Sequence, residues 1–578
     1  MPVSRCFSIN SGRRIVTAIW ILIACAATMR AQVVVVSATP QVGSSNPATA
    51  EPEVPRPSTT PCIVQLFQNM EFDNYTPGTY DYTPPASCKG PWAKVVFTAD
   101  FTVTSGTQFD RTAAFYLGQA NIYYGTTAEP RSTLSPSWHV ERDVTDLSAV
   151  FKSPQTGEAN LGNFVGVYDG VDYDGIIYAN AALEFYPADF RNPAPRVADI
   201  VVPVNGSGGD AGTLNTGSDE ITQTVNLPQN VESAYLDVIT QNQIGDEFWY
   251  FCVPNNETGP LESCGNTAFR EGEISIDGNA AGVAPVYPWI FTGGIDPFLW
   301  EPITGVQTLD FVPYRVNLTP YAGVLGDGGA HTVAVSVYNA NGYFLATANL
   351  LVYLDHGTQK TTGGLISNSL TAPSPEIQNN ITTDASGNST GNILTTSGRK
   401  FSISGYVNTS HGRVVTTLTQ SVSFSNNQQF VVNATTDEQN VQQLTAVHST
   451  TTTQEGPFVT TSERDFEYPL NINYLFVANA DGTFTQTTSV HQGDEKNEDA
   501  GLNWLPLGSS SLSNEVDSTD VLNLDASFNL IGNSGSQSSG TYSWKNSRGE
   551  CYSRTIKSAS QVLTSVTTKP GCFAHNQF

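Results

Sequence analysis

The sequence predicts an all-β protein of the β-sandwich or jelly-roll type. Residues Ala93–Val103 alternate between apolar and polar side chains, and residues 175–187 repeat that alternation. A period of two is typical of half-buried strands, whereas the helical period is scarce along the chain. Abundant Thr, Ser, Asn and Gly, with short strand-like runs between Gly, Pro, Asn and Asp turns, favour the same class.

Changes of composition divide the chain into three predicted domains. The first spans 61–200 and ends before a Gly-rich run at 206–212, and the second spans 201–357. After these, aromatic residues thin out and Thr, Ser, Asn and Gln dominate, so a β-rich accessory domain is predicted over 358–578. Residues 32–60 are rich in Pro, Ser, Thr, Ala and Val and are predicted to form a flexible segment.

Two local patterns in the second domain make specific predictions. The run Phe248–Val253 is predicted to be a strand that enters a core. The dipeptide Asn341-Gly342 lies between two strand-like runs, His331–Asn339 and Tyr343–Leu354. This dipeptide favours a two-residue hairpin turn, so the two runs are predicted to pair.

The N-terminus predicts secretion. Arg13-Arg14 precede a short run of mostly apolar or small residues at 15–27, and small residues follow, with Ala31 as a cleavage point. The run is short for a membrane span, and no other stretch is long and apolar enough to cross one. We therefore predict a signal peptide at 1–31 and a secreted chain, in an extracellular or acidic secretory compartment. An uncleaved signal anchor is the alternative.

Six cysteines that follow the predicted signal peptide form three sequence-near couples. In a secreted chain these couples predict the disulfides Cys62–Cys88, Cys252–Cys264 and Cys551–Cys572. Metal binding is the poorer alternative, because no couple has CxxC spacing and no paired His lies nearby. The eight N-x-S/T sequons are predicted glycosylation sites, at Asn74, Asn205, Asn256, Asn317, Asn380, Asn388, Asn408 and Asn433.

Charge and missing motifs exclude several functions. The formal net charge of −27 at pH 7 argues against nucleic acid and anionic membranes as partners. There is no HExxH helix and no Walker loop, and the scattered histidines lack ligand spacing, so no metal or cofactor is predicted. The G-x-S-x-G match at Gly387–Gly391 lies in a Ser/Thr-rich loop without a preceding strand, unlike a nucleophile elbow.

Carboxylates remain as candidates for chemistry. Asp110 and Arg111 begin an apolar, aromatic-rich stretch, read as one strand, that ends at Glu129. Glu247 precedes four consecutive aromatic residues. The structural alternatives are a strand-end cap at Asp110 and a strand entering a core after Glu247. Acids beside aromatic residues also describe a carbohydrate site, to which three tryptophans would add ring faces: Trp138, Trp289 and Trp300.

A series of separate motifs carries a family resemblance over about residues 60–360. The motifs occur in this order: Gly90-Pro91-Trp92-Ala93, Gln108-Phe109-Asp110-Arg111, Thr127-Ala128-Glu129-Pro130, Trp138-His139-Val140-Glu141-Arg142-Asp143, Asp246-Glu247-Phe248-Trp249-Tyr250, Phe269-Arg270-Glu271, Phe291-Thr292-Gly293-Gly294-Ile295-Asp296-Pro297, Trp300-Glu301-Pro302-Ile303 and Val337-Tyr338-Asn339-Ala340. The series resembles the peptide:N-glycanase A family, the acid glycoamidases of plants and fungi.

The resemblance implies a fold and a reaction. A bacterial relative of the family is built from two adjacent jelly rolls, so two antiparallel jelly-roll sandwiches are expected here, followed by the accessory domain. The implied reaction hydrolyses the amide between asparagine and the first N-acetylglucosamine of an N-glycan. Asparagine becomes aspartate and the glycan leaves as a glycosylamine. The family uses no metal, and its substrates are N-linked glycopeptides or glycoproteins.

The resemblance also assigns residues. A bacterial Trp-Asp-Arg strand start looks like Phe109-Asp110-Arg111, which implies that Asp110 is catalytic. A bacterial Cys-Ala-Glu-Trp-Cys-Phe-Arg run looks like 264–270, but its glutamate falls on Asn266, so Glu247 is the predicted second catalytic group. The predicted substrate-binding residues are Arg111, Glu129, Trp138, Trp249, Arg270 and Asn339. The sequence departs from the family pattern at Glu301, where Arg is more usual.

Two functions from other classes stay open at this point. A glycoside hydrolase would also use two carboxylates beside aromatic rings, but it would leave at least one sugar on asparagine. A non-catalytic glycan-binding protein would bind glycans without forming a product.

Overall fold

The computed structural model describes residues 39–569, in which strands predominate and helical elements are short. The all-β prediction is therefore confirmed. The predicted signal peptide at 1–31, the start of the predicted flexible segment and Cys572 lie outside the described residues. Within residues 39–569, no helix combines the length and apolar character needed to cross a membrane.

The first group of strands forms an antiparallel sandwich. One sheet has the order β1-β10-β3-β6, the other has the order β2-β7-β4-β5, and β8 and β9 form a separate hairpin. The bounds are β1 (Cys62–Phe72), β2 (Gly78–Tyr82), β3 (Trp92–Val103), β4 (Thr112–Leu117), β5 (Ala120–Thr126), β6 (Ser137–Asp143), β7 (Gln155–Leu161), β8 (Gly166–Tyr168), β9 (Val171–Tyr173) and β10 (Ile177–Pro187), with 3-10 turns at Thr145–Leu147 and Val150–Lys152.

The core of this sandwich confirms the predicted alternation. The alternate apolar residues of β3, among them Val95, Phe97 and Phe101, are fully buried. Their rings meet those of the facing sheet: Phe97 stacks on Tyr123 and Phe101 stacks on Phe115. Successive side chains of a strand point to opposite faces, so the period of two places these residues between the sheets.

The second group of strands forms another antiparallel sandwich. One sheet has the order β11-β19-β14-β17, with β12 also on β19, and the other has the order β13-β18-β15-β16. The bounds are β11 (Ile200–Val204), β12 (Gly212–Thr216), β13 (Glu220–Val225), β14 (Val231–Asn242), β15 (Glu271–Ile276), β16 (Asn279–Pro285), β17 (Tyr314–Asn317), β18 (His331–Tyr338) and β19 (Asn341–Leu354), with helical turns at Ile244–Asp246, Trp249–Phe251, Pro297–Trp300, Thr319–Tyr321 and Ala322–Leu325.

Both local predictions in this sandwich are wrong. Strands β18 and β19 belong to different sheets, so Asn341-Gly342 begins a strand instead of closing a hairpin. The Asn341 backbone N–H donates to the carboxylate of Asp246, which fixes the chain as it crosses between sheets. Residues Trp249–Phe251 form a 3-10 turn and join no sheet, because their rings pack in or against a hydrophobic cluster that includes residues after position 400.

The third group forms one large antiparallel sheet, called the long sheet below. Its order runs β20-β23 and then through consecutive strands to β31, with β21 and β22 also on β23. The bounds are β20 (Thr362–Asn368), β21 (Glu376–Asn379), β22 (Thr382–Thr383), β23 (Ser389–Thr409), β24 (Gly412–Asn433), β25 (Thr436–Glu455), β26 (Phe458–Ala478), β27 (Phe484–Leu502), β28 (Leu505–Leu524), β29 (Leu530–Asn546), β30 (Cys551–Ala559) and β31 (Val562–Thr568).

The long sheet and the second sandwich share a hydrophobic core. Trp249 packs on Phe424, and Tyr287 packs on Tyr468, with ring centroids 6.1 and 4.9 Å apart. Buried residues of both parts belong to one continuous cluster. The second sandwich and the long sheet therefore pack as one unit, and the limits given for the domains 201–357 and 358–578 stay a prediction.

Residues 48–56, before β1, are held against the rest of the structure, which corrects the prediction of flexibility for that part of the segment 32–60. Ala48 and Ala50 are buried, and the Ala48 N–H donates to Pro302 O. Glu51 accepts a hydrogen bond from Asn514 of the long sheet, and Arg56 pairs with Glu141 of the first sandwich. The small residues fit between sheets and the charges meet distant partners, which local composition does not reveal.

Two of the predicted disulfides are confirmed. Cys62 bonds Cys88 across the start of the first sandwich. Cys252 bonds Cys264 and closes the loop that follows the Trp249–Phe251 turn. The third predicted pair includes Cys572, which lies outside the described residues.

Candidate active site

The stretch between Asp110 and Glu129 is a hairpin and not the single strand predicted. Strands β4 and β5 pair through a two-residue turn in which Gly118 and Gln119 have φ of 55° and 66°. Two consecutive positive φ angles are those of the type I′ turn that suits strand twist. The outermost pair of the hairpin, Thr112 with Thr126, brings its two ends together, so Asp110 before β4 and Glu129 after β5 lie close to each other.

Backbone contacts hold the two acids side by side. Glu129 Oε2 accepts a hydrogen bond from the Asp110 N–H at 3.3 Å. The Arg111 N–H donates to Thr127 Oγ1 at 2.8 Å, and the Thr127 N–H donates back to Arg111 O at the same distance. The neck of the hairpin therefore fixes the separation of the two carboxyl groups.

A loop of the second sandwich, residues 291–294, docks on this pair. The Gly293 N–H donates to Asp110 Oδ2 at 2.8 Å, and Thr292 Oγ1 donates to Thr127 O at 2.8 Å. A methyl group on Gly293 would overlap Glu129 Oε2 and press toward Asp110. The absence of a side chain at Gly293 therefore lets the backbone approach both carboxyl groups without displacing that of Glu129.

Glu247 lies near Asp110, just after the C-terminal end of β14. It follows the turn Ile244–Asp246, and its carbonyl accepts a hydrogen bond from Asn242 Nδ2. Its carboxyl group makes no hydrogen bond to any residue in the described part of the chain. Burial, and then the charge of Asp110, raise the pKa of Glu247 to about 7. The site thus lies between the two sandwiches.

Burial and mutual repulsion set the protonation of the cluster. Burial raises the pKa of Asp110, while the Gly293 N–H and Arg111 act in the opposite direction. Burial, and then the charge of Asp110, raise the pKa of Glu129 to about 8. Like charges this close do not all ionise, so ionised and protonated carboxyl groups are expected to coexist in the cluster near neutral pH. That arrangement supplies a base and an acid together.

Arginine side chains border the cluster. The guanidinium of Arg111 lies over the ring of Phe109, 5.9 Å from its centroid. Arg131 pairs with Glu301 at 2.9 Å, and the charge of Glu301 contributes to raising the pKa of Glu129. Glu301, where the sequence departs from the family pattern, is therefore an acid paired with Arg131 and close enough to the carboxyl cluster to influence its charge.

Two of the predicted substrate-binding residues, Arg270 and Asn339, make structural contacts within the protein. Arg270 pairs with Asp246 at 2.8 Å, and both side chains are fully buried. Asn339 Nδ2 donates to Asn266 O, and Asn266 Nδ2 donates back to Asn339 O. These contacts hold the loop between Glu247 and β15, and they leave the Arg270 guanidinium no exposed face.

The predicted tryptophans also lie in the interior. Trp138 is 2 % exposed and stacks on Phe101, and Trp249 is completely buried. Trp289 is buried as well, and Trp300 donates its ring N–H to Gly294 O at 2.9 Å. None of the four presents a free ring face to a ligand.

The long sheet supports both loops of the site, a feature that sequence reasoning missed. Side-chain amides of β24 and β25 donate to the carbonyl groups that follow Glu247: Asn426 to Tyr250 at 2.9 Å, Gln439 to Phe251 at 2.9 Å and Gln428 to Cys252 at 3.1 Å. Three other donors hold the loop around Gly293: Gln492 to Pro288 at 2.7 Å, Gln486 to Ile295 at 3.3 Å and Ser518 to Leu299 at 2.6 Å. The one sequence signal was the excess of Gln, Asn and Ser in that part of the chain.

The predicted glycosylation sites differ in accessibility. Asn205 is 8 % exposed, and its Nδ2 donates to Gln119 O and Gly209 O, so we propose no glycan there. Asn317 is half-buried and donates to Thr451. The other six are exposed or half-buried: Asn74, Asn256, Asn380, Asn388, Asn408 and Asn433.

Fold and site together define an all-β protein with a cluster of carboxyl groups between two sandwiches. A family model described as Peptide N-acetyl-beta-D-glucosaminyl asparaginase amidase A matches residues 50–371, more than half of the chain. A model for the C-terminal domain of the same family, PNGase_A, matches residues 392–470. The chain belongs to this family.

The chain is also similar to individual known proteins. The chain is 30 % identical over 459 residues to Peptide-N4-(N-acetyl-beta-glucosaminyl)asparagine amidase A of Prunus dulcis, covering 76 % of this chain and 78 % of the relative. Among solved structures, PNGase F of Flavobacterium meningosepticum is 14 % identical with a TM-score of 0.33, covering 51 % of this chain and 96 % of that one. PNGF-II is 13 % identical with a TM-score of 0.36, covering 51 % and 65 %.

Proposed function

We propose that the chain is an amidase that cleaves N-glycans from glycopeptides or glycoproteins. It hydrolyses the amide between asparagine and the first N-acetylglucosamine, leaves aspartate, and releases the glycan as a glycosylamine. Membership of the amidase A family and the activity for which the Prunus dulcis relative is named support this reaction. The observation that carries the proposal is the position of Asp110, bound by the Gly293 N–H and flanked by two carboxyl groups of raised pKa.

Asp110 is the proposed base. Gly293 engages its Oδ2, so we assign the attacking water to Oδ1. The carboxylate orients this water and takes its proton as the water oxygen bonds to the amide carbon, a contribution of about 10²–10⁴ in rate. Arg111, beside the carboxylate, is the proposed donor that stabilises the oxyanion.

Glu247 is the proposed acid. The tetrahedral intermediate collapses when the carbon–nitrogen bond breaks and the nitrogen takes a proton, which gives the glycosylamine and the aspartate side chain. Glu247 has a carboxyl group without a hydrogen-bond partner among the described residues and a pKa raised to about 7, so it holds a proton on the acid side of that value. Glu129 is instead held by the Asp110 N–H and pressed against Gly293, which suits a positioning residue that also contacts the sugar.

Three substitutions test these roles on a defined glycopeptide. Asp110→Asn is expected to lower kcat by about 10²-fold or more, and Glu247→Gln by a similar factor, with KM nearly unchanged. Glu129→Gln is expected to raise KM as well, because it disturbs the sugar contact. The exposed Glu376→Gln is the control. Near wild-type turnover in Asp110→Asn would sink the proposal.

Product mass separates the amidase from its rivals. The proposed reaction leaves a peptide in which asparagine has become aspartate and no sugar remains. A glycoside hydrolase would leave at least one N-acetylglucosamine on asparagine, and a glycan-binding protein would leave the glycopeptide intact. Either of those results would replace the proposed function.

Metal independence is part of the proposal. The carboxyl groups of the site supply both the base and the acid, so the chemistry needs no Lewis acid. Dialysis against a chelator is expected to leave kcat unchanged. A loss of activity that zinc or another divalent cation restores would contradict this point.

Secretion is also proposed. The Cys62–Cys88 and Cys252–Cys264 disulfides are of the kind that persist in oxidising compartments. When the full chain is expressed in a eukaryotic cell, we expect it in the medium, without residues 1–31. A membrane-bound chain that retains its N-terminus would favour the signal-anchor alternative.

A further inference from the structure

A small aromatic hairpin projects beside the proposed catalytic centre. Strands β8 and β9 pair through a two-residue turn at Asp169 and Gly170, with φ of 50° and 80°. Tyr168 is opposite Val171, two residues before Tyr173, so both tyrosines lie on one face of the hairpin. Tyr168 is 70 % exposed, far more than a core ring. An exposed apolar surface of this kind commonly marks a binding site.

The rings of this hairpin connect directly to Asp110. Phe109, the residue before Asp110, is 42 % exposed, and its ring lies 5.3 Å from that of Tyr173. The ring of Phe164 then packs edge-on against both Tyr173 and Tyr168, with centroids 6.0 and 6.5 Å away. A continuous row of aromatic rings therefore runs from the proposed base toward solvent.

The base of the hairpin is fixed to the loop that carries Asp110. Asp174, directly after β9, accepts a hydrogen bond from the Thr107 N–H at 2.7 Å. Before β8, the fully buried Asn163 donates to Phe72 O and Gly175 O at 2.9 and 3.0 Å. The ring row and the proposed base are thus held in one rigid arrangement, and a ligand bound on the rings has a defined register with the chemistry.

We propose that this ring row binds the outer sugars of a neutral N-glycan, beyond its two core N-acetylglucosamine residues. The inference rests on the proposed amidase function and adds a specificity site to it. Sugar rings present apolar C–H faces that stack on exposed aromatic rings, and their hydroxyl groups donate to carboxylates such as the exposed Asp169 and Asp172. Those carboxylates disfavour acidic glycans and acidic peptides by charge.

Two substrates that share one peptide test the proposal. One carries a full neutral N-glycan and the other carries only the two core N-acetylglucosamine residues. Tyr168→Ala and Tyr173→Ala are expected to lower kcat/KM on the full glycan by about tenfold, because each removes one ring that stacks on a sugar. The effect is expected as a rise in KM. The short substrate is expected to react at the wild-type rate, and Tyr168→Phe and Tyr173→Phe are expected to keep the preference.

The controls separate failure of this inference from failure of the proposed function. Phe190→Ala removes a ring that is 88 % exposed, more than that of Tyr168, elsewhere on the first sandwich, and it is expected to change the rate on neither substrate. Equal losses on both substrates would show that the rings contact the peptide or the core sugars, and no loss on either would show a bare surface feature. Both results overturn the inference while the amidase remains. A wild-type chain that cleaves neither substrate would overturn the proposed function instead.

Discussion

Glu129 Oε2 accepts a hydrogen bond from the backbone N–H of Asp110 at 3.3 Å, although 19 residues separate the two acids in sequence. The hairpin between them returns the chain to its starting point, and Gly293 of the second sandwich closes on both. Burial, and then the charge of the neighbouring Asp110, raise the pKa of Glu129 to about 8. The proposed chemistry depends on this contact, in which Gly293 of the second sandwich donates to Asp110 of the first.

Gly293→Ala is expected to lower kcat by about 10²-fold, the usual effect of losing one hydrogen-bond donor at a reacting group. The added methyl group would overlap Glu129 and move the N–H away from Asp110. Steady-state kinetics on a glycopeptide measures the effect. Gly259→Ala is the matched control, because no atom lies within 4 Å of its added methyl group. If both variants keep wild-type kcat, Gly293 does not position Asp110.

The pH profile of kcat/KM is expected to fall above about pH 7. Glu247 has a pKa raised to about 7 and must hold its proton to protonate the leaving nitrogen. As pH rises through that value the acid is lost, and the rate declines. Asp110 must be ionised, so a second limb on the acid side reports its titration. A rate that continues to rise to pH 9 would exclude a carboxylic acid as the proton donor.

Stability is expected to decrease as pH rises from about 4.5 to 8. Glu129 has a folded-state pKa of about 8 against an ordinary value of 4.5, so the folded chain binds this proton more tightly than the unfolded chain does. The resulting stabilisation is complete below the unfolded pKa and is lost as pH passes through the folded one. Glu129→Gln is expected to flatten the change of Tm across this window. Equal pH dependence in both chains would show that Glu129 titrates normally.

Gln428→Leu is expected to lower both stability and activity. The change leaves the Cys252 carbonyl without its donor and interrupts the contacts of Gln428 with Asn426 and Gln439, at a cost of about 1–3 kcal/mol. Because that carbonyl lies in the loop that follows Glu247, kcat is expected to fall even where the chain stays folded. Gln429→Leu changes the next residue of β24, which is exposed, and is the control. Denaturant unfolding and kinetics at one temperature give both readouts.

The regular parts of the fold were predictable because they depend on local alternation. The β3 strand follows this rule, with Val95 and Phe97 buried as expected. The run Phe248–Val253 broke the rule, since its rings are buried by the long sheet and its carbonyls are paired with side chains about 180 residues away in sequence, such as Asn426. No local pattern contains that contact.

The site was predictable in part. Residue type and family resemblance predict Asp110 and Glu247 as catalytic groups, and in the structure both lie in one cluster with Glu129. Their meeting required a turn at Gly118-Gln119, which lacks the usual Asn-Gly or Asp-Gly signal. The role of Gly293 depends on a close approach between two sandwiches, and a glycine in a loop does not reveal it.

The most direct measurement places the oxygen of water in the product. Wild-type protein and the Asp110→Asn variant are incubated with a glycopeptide in heavy-oxygen water, and the released peptide is analysed by mass spectrometry. The proposed mechanism predicts a sugar-free peptide whose new aspartate carries one heavy oxygen, formed rapidly by the wild type and at least about 10²-fold more slowly by the variant. A peptide that retains N-acetylglucosamine on asparagine, or equal rates for the two proteins, would contradict it.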